Sequence, residues 1–456
     1  MDPGFAIAAS ALNAQQTEIS VTSENIANSQ TPGYAAETAV LQTLPGANRT
    51  GVGGGVEVAS ISQASNVMLS ANNWQAQGAL SNLTSLQQVL SGIQNVFPIG
   101  QTSSSSGSQT TTNTGIAGQL ANFWNAWDSV AQDPSGSAPR TEVVDLAQGL
   151  ATTLQESSTQ LSQISSNGVT QLQDQVTQIN SLLGEAGQLN GAIVKTEGAA
   201  GNPDAVVDQL KGVLGQLAQL SGVGVSIGSD NTATVTLGGV SLVQESNVST
   251  VALQASGGSY SLEANPGAVP LSVTSGSVAG LLAGLNQYVP QYQSDLDSVA
   301  SSLISTVNGQ LAAGFTAAGA AGGPLFSGTS ASTIGVDPSV VADPTLLAAA
   351  STSGPAGAND GSNAQAMAEL ASSQTGADSK YQNLIQSIGS VNENVNTQVS
   401  AQSAVANQAQ SALLSATGVD LDTELTNLMS FQANYQASAK LLTVIDATLQ
   451  SLLQAV

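Results

Sequence analysis

Both ends of this chain carry mostly apolar residues at alternating steps of three and four. At the start these are Phe5, Ala8, Leu12, Gln15, Ile19, Thr22 and Ile26. At the end they are Leu428, Phe431, Tyr435, Ser438, Leu442, Ile445, Leu449, Leu452 and Val456. That spacing is the seam of a coiled coil. Free ends fray unless something ties them down, so each seam calls for a partner. The nearest partner is the other terminus, and the remaining apolar faces can then meet neighbouring subunits. The same pattern also suits an intramolecular pair that closes one globule. Seams with few ionic contacts bury well only against a partner, so the terminal helices are expected to order on assembly.

Between the ends the period changes twice. From Ala64 to about Leu220 the pattern is helical, interrupted by the Ser/Thr/Gly-rich stretch Gln101–Thr114 and by a turn over Asp133–Pro139. Leu146, Leu150, Leu154, Leu161, Ile164, Leu172, Val176, Ile179 and Leu183 keep one stripe over many turns, and a helix hairpin turns at 198–203. Over 222–275 the period falls to two: Val223, Val225 and Ile227; Val235 and Leu237; Val240 and Leu242; Val269, Leu271 and Val273. Helical spacing returns with Leu285, Val289, Tyr292, Leu296, Val299 and Leu303, where Pro290 predicts a kink or a fresh start. Residues 314–362 read as loop with at most a short helix near Leu346. Long helices then resume over 363–416, with Tyr381, Ile385, Ile388, Val395, Val399 and Leu413 on one seam.

The fold class that follows is mainly α with a small all-β module: a long helical bundle or coiled-coil core built from both termini, plus one antiparallel β domain. Residues 1–63 form a terminal helix and an extended segment that pair with the helix of 417–456. Residues 64–221 and 276–416 are the two parts of a helical domain, the second containing the loop 314–362, and 222–275 is the β module. Within 35–63 only Val56, Val58 and Ile61 hint at a short strand.

Composition removes whole classes of chemistry. Of 456 residues only 8% are charged, with six Lys and Arg against 30 Asp and Glu, a net charge of −24, and neither Cys nor His. A disulfide framework, a thiol nucleophile, a histidine base and an imidazole or thiolate metal site are excluded. Arg49, Arg140, Lys195, Lys211, Lys380 and Lys440 are scattered, so no basic patch can track a nucleic-acid backbone or an anionic membrane. Met1–Phe5 shows no secretory signal pattern and no stretch reads as a membrane span. No enzymatic activity and no cofactor or metal is expected.

The segment Asn25-Ile26-Ala27-Asn28-Ser29-Gln30-Thr31-Pro32-Gly33-Tyr34 stops the first helix: Asn28 suits a left-handed cap, Pro32 fixes φ, and Gly33 supplies the positive φ of a type II turn. It resembles the N-terminal signature of the flagellar axial proteins, the rod, hook and hook-associated family. The run Asn427-Leu428-Met429-Ser430-Phe431-Gln432-Ala433-Asn434-Tyr435-Gln436-Ala437-Ser438-Ala439-Lys440 is similar to that family's closing helix, nearer to its hook-associated members than to rod and hook proteins. Asn202–Leu210 running into Val223–Ile227, with Ala312–Phe315, Pro324–Phe326 and Val341–Pro344, also fits the hook-associated pattern. The chain departs from many relatives in having Ala35-Ala36-Glu37 after the motif tyrosine, where a basic residue is usual, and Leu210 where an arginine is common.

The resemblance implies a non-catalytic structural protein, exported unfolded and secreted to the bacterial flagellum, where it sits at the hook–filament junction. Its implied partners are copies of itself, the hook protein, a second hook-associated junction protein and an export chaperone for the C-terminal helix. It implies neither nucleic acid nor membrane insertion. The motif residues would be Asn25, Asn28, Thr31, Pro32, Gly33 and Tyr34, and the assembly seam Phe5, Leu12, Ile19, Ile26, Leu428, Phe431, Tyr435, Leu442, Ile445, Leu449 and Leu452. It also implies that the β module faces outward as one protruding domain.

Two alternatives stay open. A hook or rod subunit of the same family is one; a secreted hydrolase or carbohydrate-binding protein using Asp230, Glu245 and Glu263 is the other. Asp420-Leu421-Asp422-Thr423-Glu424 has calcium-like spacing, but the loop lacks its glycine and reads as an acidic helix start. The sequons at Asn48, Asn82 and Asn247 are explained by chance in so polar a chain. Trp124 and Trp127 beside Phe123 read as packing residues.

Overall fold

Residues 3–31, 33–45, 53–98, 115–198, 203–265, 269–354 and 359–454 are described by the structure, a computed structural model, with the side chains of Pro3, Glu197, Leu452 and Leu453 outside that description. Pro32, Val456, Asn48, Arg49, the stretch 101–114 and the turn 199–202 therefore lie outside the described residues.

The long apolar stripe of the first half becomes one helix, α4 (Ser137–Gly198), of 62 residues. At about 1.5 Å per residue it is about 93 Å long. Leu150, Leu154, Leu161, Leu172, Ile179 and Leu183 on it are all fully buried. Around it pack α2 (Val67–Val96), α3 (Ile116–Gln132), α5 (Asp204–Ser221), α6 (Gly276–Ala283) and α7 (Val289–Ala312), while α10 (Ala377–Thr417) runs antiparallel to α2 and packs on α2 and α7. The helical stretch over 363–416 is divided: α9 (Ser362–Glu369) and a 3₁₀ turn (Leu370–Ser372) precede α10. Gly376 in extended conformation starts α10 afresh. Pro290 sits in the first turn of α7, directly after a π turn at Gly284–Tyr288. Proline has no N–H to give to the preceding turn, and the wider π turn absorbs that gap.

An aromatic knot joins α3 to the returning chain. Phe123 packs edge-on against Trp124 at 4.9 Å between centroids and tilted against Phe326 at 5.8 Å. The Trp124 Nε1 donates to Asp378 Oδ2 at 2.7 Å, fastening α3 to α10. The buried guanidinium of Arg140 donates to the carbonyls of Pro134 and Leu347, so it ties the α3–α4 turn to the loop 314–362. That loop contains a two-stranded ribbon, β10 (Phe326–Ser327) with β11 (Gly335–Val336), a short α8 (Pro338–Ala342) and a 3₁₀ turn at Pro344–Leu346.

The β module is made of two small antiparallel sheets. β3 (Gly224–Ile227), β4 (Ala233–Leu237), β5 (Val240–Gln244) and β6 (Asn247–Val248) form the first; β7 (Val251–Ser256), β8 (Ser259–Ala264) and β9 (Val269–Leu271) the second. Val273 lies beyond β9. Gly238-Gly239 and Gly257-Gly258, all with positive φ, close the β4–β5 and β7–β8 hairpins, as type I′ turns require. Both sheets pack along the second half of α4 and share its apolar core.

Helices meet strands here through asparagine. Asn180 on α4 accepts from Val251 N at 2.7 Å and donates to Val251 O at 2.8 Å. Asn190, fully buried, does the same to Ala233, with both bonds at 2.8 Å, and also donates to Glu245 O. Asn286 clasps Tyr260, and Asn308 clasps Phe326, in the same two-point way. A carboxamide presents one acceptor and two donors, the complement of a strand residue's N–H and C=O. It satisfies a strand edge without bringing an ion into the core.

The terminal segments form a separate layer. α1 (Pro3–Asn28) and α11 (Leu421–Gln454) run antiparallel, so that Asn25 lies opposite Glu424, and Glu18 to Thr22 opposite Asn427 and Phe431. Both are helical and packed against each other within the single chain. The segment after α1 is a hairpin rather than loop: β1 (Glu37–Leu44) pairs antiparallel with β2 (Gly55–Gln63), with an irregularity at Val40/Leu41. It lies back along α1, where Val56 N donates to Ser10 Oγ at 3.1 Å. α1 is thus covered on two faces, with Ala8, Ala14, Val21, Thr22 and Asn25 buried.

Candidate functional site: the joint between the terminal pair and the body

Only two short connectors join this layer to the body: residues 64–66, leading into α2, and 418–420, leaving α10. The motif turn sits between them. α1 ends at Asn28, whose Nδ2 donates back to Glu24 O at 3.2 Å while its Oδ1 accepts from Thr31 Oγ1 at 3.2 Å. Asn28 is not among the residues with positive φ, so it caps with its side chain and not by left-handed backbone. Tyr34 N donates to Thr31 O at 3.2 Å, and Gly33 has φ +85°, the conformation the third residue of a type II turn needs.

Asn25 holds the joint together. It is 1% exposed. Its Oδ1 accepts from Tyr34 Oη at 2.8 Å and from Glu37 N at 2.9 Å. Its Nδ2 donates to Glu37 O at 2.8 Å and to Glu424 Oε1 at 3.1 Å. One side chain therefore binds the end of α1, the motif turn, the start of β1 and the start of α11. It is a fifth use of the helix-to-strand asparagine clasp. Burial, then the nearby Glu37, Glu24, Asp208 and Glu424, push the Tyr34 phenol far above its ordinary range, so it stays a donor.

A second set of contacts fixes the layer to the body. Ala36 N donates to Thr417 O at 2.9 Å, and Ala64 N to Ala36 O at 2.7 Å. Gln63 at the end of β2 donates to Asp208 Oδ2 at 2.8 Å and accepts from Lys211 Nζ at 2.7 Å. Lys211 pairs with Asp208 at 3.2 Å, the one ion pair among the described residues. Burial raises the Asp208 carboxyl above its ordinary value, opposed by Lys211, Gln63 and the Ala35 amide. Glu37 is also raised, first by burial and then by Asp204, Glu24 and Asp208. A cleft of about 430 Å³ opens beside this lock, lined by Tyr34, Trp74, Lys211, Gln410 and Leu414 among others.

Of the motif residues, the structure gathers Asn25, Asn28, Thr31, Gly33 and Tyr34 into this joint. Along the seam, Phe5, Leu12, Ile19, Ile26, Leu428, Phe431, Leu442, Ile445 and Leu449 are half-buried and Tyr435 is exposed. No described side chain of α11 is fully buried, and Leu421, Leu425, Met429, Leu441 and Val444 are exposed on its other faces. Glu37, Gln63, Asp208, Lys211 and Glu424 take part in the joint although no pattern in the chain singles them out. Among the carboxylates of the β region, Asp230 does not suit the part of a hydrolytic acid. Asp230 is held below its ordinary range by Thr232, whose N and Oγ1 it accepts at 3.2 and 2.8 Å, whereas a general acid needs a raised value. Among the described residues no group of three or more acidic, His or Cys side chains could hold a metal ion, and no helix is long and apolar enough to cross a membrane.

Comparison with known proteins follows the same division. The family described as "Flagellar hook-associated protein FlgK helical domain" matches residues 107–326. "Flagella basal body rod protein" matches 5–34, and "Flagellar basal body rod FlgEFG protein C-terminal" matches 410–455. Flagellar hook-associated protein 1 of Bacillus subtilis (strain 168) is 24% identical, over 99% of this chain and 97% of its own length. The protein of that name from Escherichia coli (strain K12) is 26% identical over 70% of this chain, which spans 59% of that relative. The flagellar hook junction protein FlgK from Burkholderia pseudomallei superposes on 76% of this chain and 99% of its own with a TM-score of 0.62 at 18% identity, which is a shared fold. With matches to rod-type segments at both ends and to the FlgK helical domain between them, this chain is similar over nearly its whole length to flagellar hook-associated protein 1.

Proposed function

We propose that the protein is a structural subunit of the bacterial flagellum that joins hook to filament, and that it assembles through its paired terminal helices. The observation that carries this reading is the antiparallel α1–α11 pair, locked at one end by Asn25 and apolar along faces the single chain leaves open. In this reading the seam residues and the motif turn are assembly determinants: the seam sets how helix pairs pack, and the turn sets the angle at which the pair leaves the body. Subunits related by such contacts extend an assembly along an axis rather than closing a dimer. Its partners are copies of itself, the hook protein below, a second hook-associated junction protein above, and an export chaperone that shields the C-terminal helix. Export in unfolded form through the flagellar channel suits a chain with no cysteine to cross-link on the way. The match of the central region to the hook-associated helical domain favours this over a hook or rod subunit.

Gold-labelled antibody against the β region, viewed on detached flagella of a host that carries this chain, tests the assignment. Label confined to the hook–filament boundary is expected. Label spread along the hook or the rod would replace it with one of those subunits.

A further inference from the structure

The cleft of about 430 Å³ beside the lock has an unusual lining for so acidic a chain. The chain has 30 Asp and Glu, yet among the described residues none lines the cleft, and its one charged residue, Lys211, is engaged by Asp208. What faces it is largely amide, from Asn73, Gln77, Gln216, Gln219 and Gln410. Asn73 is half-buried, and its Oδ1 is sealed from water with no hydrogen-bond partner. The oxygen and nitrogen of a carboxamide trade places on a half-turn of the group, so an acceptor stranded in this way can be turned towards a guest.

The neighbouring Trp74 is an independent sign. It is 9% exposed, and its Nε1 lies beside Gly215 of the cleft wall, where a Cβ would come within 3.3 Å of it. Trp124 spends its N–H on Asp378, and Trp127 keeps its own sealed in the core. The Trp74 N–H does neither: it has no acceptor among the described residues and is not sealed from solvent. An unpaired acceptor and an unpaired donor side by side match what extended backbone offers, one N–H and one C=O per residue. The chain already holds its own strands in this manner through Asn25, Asn180, Asn190, Asn286 and Asn308. A sugar would need an open aromatic face, which a ring so deeply buried does not give. A phosphate chain would need unspent cations.

We propose that the cleft receives an extended backbone segment of a second copy, clasped by Asn73 and Trp74 with the glutamines at its rim. This rests on the assembly reading above and adds where a neighbour grips the body. The rim runs on into the surface which that reading gives to neighbouring copies: Leu414 at the cleft, then Leu421 and Leu425 on α11, are all exposed. A lining without carboxylates also spares two copies, each of net charge −24, the like-charge repulsion that an acidic wall would bring. A copy seated there touches terminal layer and body together, and so holds the angle between them.

A photo-cross-linking residue in place of Gln410, which is exposed on α10, probes the occupant in hook–filament structures purified from a host that carries the full chain. Irradiation is expected to give multimers of this chain, with the cross-links mapping to a non-helical stretch of another copy. Asn73→Ala supplies a second measure. Its Oδ1 has no partner in the single chain, so the melting temperature of the purified variant should be unchanged or higher, while its incorporation falls about fivefold. An asparagine with a purely structural role would do the reverse. A Gln410 variant that incorporates but cross-links to no other copy overturns the proposal, as do cross-links to hook or filament protein or to a helix of another copy. So does an Asn73→Ala variant that incorporates as the unaltered chain does. If the unaltered chain itself is absent from the purified structures, the assembly reading fails first.

Discussion

At the scale of single residues, the joint depends on one carboxamide. Asn25→Ala leaves the Glu37 N–H and C=O and the Tyr34 hydroxyl without their partner in a buried place. We expect a loss of about 2 kcal/mol in the stability of the terminal layer, read as faster hydrogen exchange at Glu37 with the body's protection unchanged. Asn25→Asp should be worse, because a carboxylate there faces Glu37 and Glu424. The charge of Glu37 predicts a pH dependence of known sign. Burial, Asp204, Glu24 and Asp208 hold its carboxyl protonated to higher pH in the folded joint than in the unfolded chain. The folded state therefore binds the extra proton, and this contribution to stability is full below the ordinary value of 4.5 and is lost as pH rises through the raised one. Glu37→Gln should raise the melting temperature of the full chain at pH 7 and flatten its decline as pH rises above 4.5. A decline that is unchanged in the variant would show that other carboxylates carry it. Arg140 makes a different case, a buried cation held by carbonyls alone and pushed down in pKa by burial. Arg140→Met removes a charge that burial disfavours but strands the carbonyls of Pro134 and Leu347. Exchange should rise in the loop around Leu347, by about 1 to 3 kcal/mol of local stability, and stay unchanged in α11.

At the scale of elements, the asparagine clasps explain how a chain with so few ions docks strands on helices. Asn190→Ala should free the start of β4 and cost about 2 kcal/mol, seen as raised exchange at Ala233 and Val235 while α4 stays protected. The terminal helices and α4 were readable from spacing because burial on one face imposes that spacing, and one fully buried stripe runs through Leu150 to Leu183. The β1–β2 hairpin was not, because most of its side chains are exposed or half-buried and it is held to α1 by backbone and by Ser10. Its alternation buries nothing strongly enough to show in composition. The second covered face of α1 was hidden for a related reason: Ala14 and Ser10 are small, and small residues accommodate a close neighbour without announcing it. A signal for the clasps did exist. Asn190 lies on the α4 stripe between Leu183 and Ile193, where an apolar residue would be expected, and a polar residue in such a place points to a partner across the interface. Of the joint, the motif turn was legible through Pro32-Gly33, but its partners Gln63, Asp208, Lys211 and Glu424 come from distant segments that no local pattern links.

At the scale of the whole molecule, the two-connector design separates tasks. The body, built on α4, keeps its own core from Trp74 to Val395. The terminal layer adds a helix pair whose outward apolar residues, Met429 at 64% exposed among them, are costly to leave in water. Low charge serves both parts, since amide and hydroxyl surfaces can pack against neighbours without desolvating ions. The body should therefore fold and keep its stability when the seam of α11 is removed, while assembly should not survive. The most direct measurement is made in a flagellated host lacking its own hook-associated protein 1 and supplied with this chain, either whole or without residues 428–456. Filament attachment is counted by electron microscopy, with export of each chain followed in the medium. The whole chain is expected to restore attached filaments, and the truncated chain to reach the medium, fold its body and attach none. Attached filaments in equal number with the truncated chain would contradict the central claim that the paired terminal helices build the junction.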